Sequence, residues 1–124
     1  MPHFFSLDEA NQALVVIRPL LEEILSIRQD ILDHRPEVWP IVEKAAGNGG
    51  SKAATLVEKR FEELDALVHQ VLETGAILKD ANIGLVDFPS LRDGREVYLC
   101  WKYGEDEIRF WHDVDSGMAG RQQI

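Results

Sequence analysis

From Leu7 onward, apolar residues recur three and four positions apart at Leu7, Ala10, Leu14, Ile17, Leu21 and Ile24, and Leu20, Ile27 and Ile31 widen the stripe. That spacing draws one apolar face along a helix of about seven turns. Ser6-Leu7-Asp8-Glu9 supplies its start, with a hydroxyl at the N-cap and a carboxylate three positions on, and Phe5 is placed to staple onto the first turn. Pro19 lies inside the stretch, where it lacks the helical N–H and crowds the preceding turn; because the stripe resumes in phase, a kink between Val15 and Pro19 is expected rather than a stop. Pro36 and Pro40 break the regularity between His34 and Pro40, and a short helical piece from Ile41 to Ala46 is expected to follow. Gly47-Asn48-Gly49-Gly50-Ser51 reads as a hairpin tip, since no phosphate-loop pattern accompanies the glycines. A second helix starts near Ser51 or Lys52, with Val57, Phe61, Leu64, Val68, Val71 and Leu78 at four-three spacing and Gly75 in the seam. Two helices of roughly 28 residues, roughly 42 Å each, return antiparallel across that tip.

Beyond Asn82 the period changes. Ile83 to Phe88 is an extended stretch ended by Pro89, and Asp93-Gly94 is a turn signal. Glu96 to Tyr103 alternates, with Val97, Leu99 and Trp101 on one side and Tyr98 and Cys100 on the other. After the turn at Gly104-Glu105-Asp106, Ile108, Phe110 and His112 are expected to share one strand face and Arg109 and Trp111 the other. The chain is thus read as one α+β domain over 1–124: a long antiparallel helical hairpin over 6–81 with its tip near 47–51, then a small three-stranded antiparallel sheet and an ordered tail over 82–124. Phe88, Tyr98, Trp101 and Trp111 are expected to pack the sheet on the helix ends near Leu7 to Leu14 and Leu72 to Leu78, and only secondarily to offer a stacking platform.

Composition narrows the classes. At 124 residues with 45% hydrophobic content, the chain is expected to bury a real core as one domain. A formal charge of −9 with no basic stripe argues against nucleic acid and against an anionic membrane surface. Cys100 is the single cysteine, which excludes an intrachain disulfide, and the paired Cys/His spacings of common zinc modules are absent. No apolar run approaches the ~20 residues of a membrane span, so a cytoplasmic protein is expected. The helices' outer faces need cover, and a homodimer completing a four-helix arrangement supplies it; the chain's own sheet is the rival cover.

The candidate chemistry lies near the C-terminus. His112, Asp113 and Asp115, with Asp87 or Cys100 completing the set, are candidate ligands for a divalent metal, because neutral imidazole and ionised carboxylate share such an ion readily. His112 and Asp113 point to opposite sides of a strand, so a common site requires the chain to leave strand geometry at Asp113; the rival arrangement is a hydrogen-bond network in which an Asp orients His112. Arg92, Arg95, Arg109 and Arg121, with Asp87, could line a site for a small anionic ligand, since a guanidinium grips carboxylate or phosphate at two points. The competing role, which the acidic background favours, is pairing with Asp87, Asp93, Glu96 or Asp113. Cys100 reads as a packing cysteine ahead of a Cys–His dyad with His112. Glu58, Glu62, Asp65 and His69 form a solvated helix face rather than a carboxylate metal ladder.

Three blocks in combination, Gly84-Leu85-Val86-Asp87-Phe88-Pro89, then Gly94-Arg95 with Val97-x-Leu99-Cys100-Trp101, then Trp111-His112 with Gly117-x-x-Gly120-Arg121, resemble the uncharacterised prokaryotic DUF2203 family over essentially the whole chain. The resemblance implies a small cytoplasmic bacterial or archaeal protein and brings no activity, cofactor or catalytic residue with it. Function divides two ways. The preferred reading is a homodimeric structural or interaction protein. The alternative is a small-anion-binding protein or metal-assisted hydrolase using Asp87, Arg95, His112, Asp113 and Arg121, and whether the chain is an enzyme stays open. Convergence of those groups on a concave opening favours the second reading; separate pairing favours the first.

Overall fold

The computed structural model describes residues 3–47 and 51–124, with side chains described outside 51–59. Helix α1 spans Leu7–His34. Its capping box is complete: the Glu9 N–H donates to Ser6 Oγ at 3.1 Å and the Ser6 N–H donates to Glu9 Oε1 at 2.8 Å, so two otherwise orphaned donors find partners. The apolar stripe from Ala10 to Ile31 is buried as its spacing predicts. The helix runs unbroken through Pro19, which lies on the exposed flank with Val15, the residue whose carbonyl loses its bonding partner.

A 3-10 turn over Pro36–Val38 leads into α2, Trp39–Ala45, which begins two residues before the expected piece because Pro40 occupies its first turn, where no N–H is needed. Gly47, at φ +85°, leaves α2 and donates its N–H to Asp65 Oδ1 at 2.7 Å. The remainder of the expected tip, 48–50, lies outside the described residues. Helix α3 spans Ser51–Glu73.

The second helix is shorter than its apolar period implied. Gly75 is its stop, not a seam position: at φ +96° it donates to the Leu72 carbonyl at 3.0 Å, closing the last turn in the left-handed conformation glycine tolerates. Ile77–Asp80 then forms strand β1, followed by β2 at Leu85–Arg92, β3 at Arg95–Lys102, β4 at Phe110–Asp113 and, after a 3-10 turn at Met118–Gly120, β5 at Gln122–Gln123. All pairings are antiparallel, in the order β1-β2-β3-β4-β5. The sheet therefore has five strands where three were expected. β1 was hidden because Leu78 continues the helical period, and β5 because two glutamines carry no apolar signal.

Strand β2 also runs through Pro89. Its carbonyl accepts the Phe5 N–H at 2.7 Å on the edge where β1 has already ended. A residue's N–H and C=O point to the same side of a strand, so the missing proline N–H faces that edge and no ladder bond is lost. Asp93 and Gly94, at φ +54° and +77°, make the two-residue turn between β2 and β3, matching a type I′ turn in the sign of φ.

One sheet face, carrying Val86, Phe88, Val97, Leu99, Trp101 and Trp111, joins the α1 and α3 stripes in a single core. Phe5 meets Phe88 edge-on at 5.2 Å between ring centroids. Ile108 enters this core from the loop before β4, with its N–H donated to Asn11 Oδ1 at 2.8 Å, so it does not share the face of Phe110 and His112. Arg18 donates to the Asp106 carbonyl at 2.8 Å and lies 5.8 Å from the Trp101 ring centre. The turn between β1 and β2 is fastened to the helices through Asn82. Its Oδ1 accepts from Trp39 Nε1 at 2.8 Å and from Arg28 Nε at 2.9 Å, and its Nδ2 donates to Glu43 Oε2 at 2.6 Å. Among the described residues, no helix is long and apolar enough to cross a membrane.

Candidate functional site

Strand alternation puts the second sheet face, the one turned from the helices, under Asp87, Tyr98, Cys100, Phe110 and His112. Asp87 on β2 stands directly across from Cys100 on β3, while Tyr98, two residues before Cys100, stands across from His112 on β4. Three adjacent strands thus deliver a carboxylate, a thiol and an imidazole to one spot, where one ligand atom from each lies within 4.8 Å of the others. The three residues are 1%, 0% and 1% exposed.

Hydrogen-bond direction orders this cluster. His112 Nδ1 lies 2.8 Å from the Asp113 carbonyl, which can only accept, so Nδ1 carries a hydrogen. Nε2 faces Asp87 Oδ1 at 3.1 Å, and this pair needs one hydrogen between them to be favourable. Burial first, and then the neighbouring Asp87 carboxylate, push the Cys100 thiol up to about 11 despite an opposing pull from Arg121. At neutral pH the sulfur is a protonated thiol, which is a poor nucleophile. Packing beside Asp87 in the buried cluster, rather than a Cys–His dyad, describes its role without a bound ion.

Arg121 closes one side of the cluster. It donates through Nη2 to Glu105 Oε1 at 2.7 Å and to the Cys100 carbonyl at 3.3 Å, and its guanidinium sits 4.2 Å from the Phe110 ring centre. Burial works against its charge, but the bonds to Glu105 and the interaction with Cys100 outweigh it and raise its pKa. Arg121 Nε is buried with no partner, alone in this among side-chain nitrogens and oxygens of the described residues. Glu105 Oε1 is held in turn by the Lys102 N–H at 2.7 Å.

The other candidates disperse. Asp113 remains in β4, so its carboxylate takes the side opposite His112 and pairs with Arg95 at 3.1 Å in a partly exposed position. Asp113 reaches the cluster only through its backbone carbonyl. Asp115 is exposed in the following turn. Arg109 pairs with Asp106 at 3.1 Å and Glu107 at 3.4 Å, and its bonds hold the Asp106 carboxyl below its usual range. Arg92 stacks 4.6 Å from the centre of the Trp111 ring. His69 and Asp65 interact within α3, on the half-exposed flank, at 3.5 Å.

Glu105 had no distinguishing mark in the sequence. The Asp87–Cys100 juxtaposition did: a two-residue turn at Asp93-Gly94 pairs residues equidistant from it, and Asp87 and Cys100 are such a pair. No curated protein and no solved structure matches the chain. The family model of the uncharacterized conserved proteins DUF2203 matches residues 3–124, and the chain belongs to that family.

Proposed function

We propose that the chain is a structural or interaction protein of the reducing cytoplasm that works as a homodimer, with the outer flank of α1 as the association surface. The observation that carries this reading is the pair Val15 and Val16, which are 75% and 56% exposed in the N-terminal half of α1, beside the exposed Pro19. Adjacent exposed apolar side chains on a helix flank can sit at the centre of a self-complementary contact, in which a helix meets its own copy across a two-fold axis. The formal charge of −9 discourages nonspecific contact with nucleic acid or anionic lipid. A free, buried Cys100 suits a reducing compartment.

The rival reading, a small-anion-binding protein or metal-assisted hydrolase at the sheet end, draws on Asp87, Arg95, His112, Asp113 and Arg121. Against it stand the Arg95–Asp113 and Arg121–Glu105 pairs, which neutralise the guanidinium groups an anion would need, and the burial of Asp87 and His112 away from any substrate. Sedimentation equilibrium of the full chain tests the preferred reading. A dimer that becomes monomeric in Val15→Asp/Val16→Lys, with unchanged helical signal, supports it. A wild-type chain that stays monomeric at hundreds of micromolar overturns it.

A further inference from the structure

The geometry points to a structural site for a divalent transition-metal ion, zinc in the first place, held by Asp87, Cys100 and His112 across β2, β3 and β4. Thiolate, imidazole and carboxylate are the three donor types zinc takes from proteins. Here they come from three neighbouring strands with ligand atoms within 4.8 Å of one another. Around a tetrahedral ion at 2.0–2.3 Å the donors stand about 3.3–3.8 Å apart. His112 Nε2 and Asp87 Oδ1 are already at 3.1 Å, so the closing movement falls mainly to the sulfur.

The surroundings fit the role. Metal-bound histidines usually donate their other ring N–H to a carbonyl or carboxylate, which fixes the tautomer and aims the free lone pair. His112 Nδ1 has such a partner in the Asp113 carbonyl at 2.8 Å, which leaves Nε2 turned to Asp87. Charge also balances. A divalent ion displaces two hydrogens, the one on the Cys100 sulfur and the one between Nε2 and Asp87, and leaves the buried cluster with the net charge it had before. Arg121 does not upset that balance because Glu105 neutralises it at 2.7 Å. The second Asp87 oxygen closes the fourth position. Burial to 1% exposure or less at all three residues makes the site a staple between strands rather than a reaction centre.

Cobalt(II) titration of the full, untagged chain after chelator treatment tests the site. Cys100 is the only cysteine, so a thiolate-to-cobalt charge-transfer band reports on this site alone. Expected are one equivalent bound, that band, its displacement by zinc and a higher melting temperature. Since losing an outer-shell partner costs about 10–100-fold in affinity, replacing a ligand in Cys100→Ser or Asp87→Asn is expected to cost at least about 100-fold. No uptake by the wild type overturns the proposal. Uptake without the charge-transfer band does so too, since the ion would then sit elsewhere. Both readings come from the wild type, so a variant that fails to fold does not blunt the test.

Discussion

Ser6 and Glu9 show how far single side chains can be read in advance. Their spacing announced the start of α1, and both reciprocal bonds are made. Ser6→Ala is expected to cost about 1 kcal/mol of unfolding free energy, measured by urea denaturation. The bond to the Ser6 backbone, then that to its hydroxyl, lowers the Glu9 carboxyl from its ordinary 4.5. A depressed carboxyl contributes stability above its unfolded value and loses it as pH falls through the folded one. Wild type is therefore expected to exceed Glu9→Gln in stability near neutral pH, with the gap closing as pH falls from the ordinary carboxyl value through the lowered one. A pH-independent gap in urea titrations would contradict the bond. The buried cluster was less legible. His112 and Asp87 were both singled out by residue type, yet Asp113 and Asp115 were equally acidic and ended outside the cluster. Residue type lists possible ligands; only strand alternation says which side each one takes.

Periodicity located α1, α3 and the β2–β3–β4 meander because burying one face imposes a spacing that a chain cannot hide. It failed where that signal was weak or shared. Leu78 kept the helical phase across Gly75, so β1 was absorbed into a helix that a positive φ ends. Pro19 is a local fault that the long stripe overrides. Relieving it by Pro19→Ala is expected to raise stability by about 1–3 kcal/mol in urea denaturation, because the Val15 carbonyl regains its donor on the exposed flank. Gly84 is the opposite case. It lies at φ +69°, and a Cβ there would come within 2.7 Å of Tyr103 Cβ. Gly84→Ala is expected to lose at least about 2 kcal/mol, read as a lowered urea midpoint, because backbone strain and overlap add.

The helices and sheet share one core, with Phe88, Trp101 and Trp111 packed together with the stripes of α1 and α3. Unfolding is therefore expected as one transition, with tryptophan fluorescence and far-ultraviolet circular dichroism changing at the same urea concentration. Two separated midpoints would mean that the hairpin stands without the sheet. The amino-acid order alone settled that there would be two long amphipathic helices, a turn at Asp93-Gly94 and an aromatic sheet face to cover them, since each follows from local spacing or local backbone preference. The edge strands, the passage of β2 through Pro89, the separate pairing of the arginines and the meeting of Asp87, Cys100 and His112 needed the folded molecule. Those features depend on which strand lies beside which and on which groups lose water, and both are decided only when distant parts of the chain pack together.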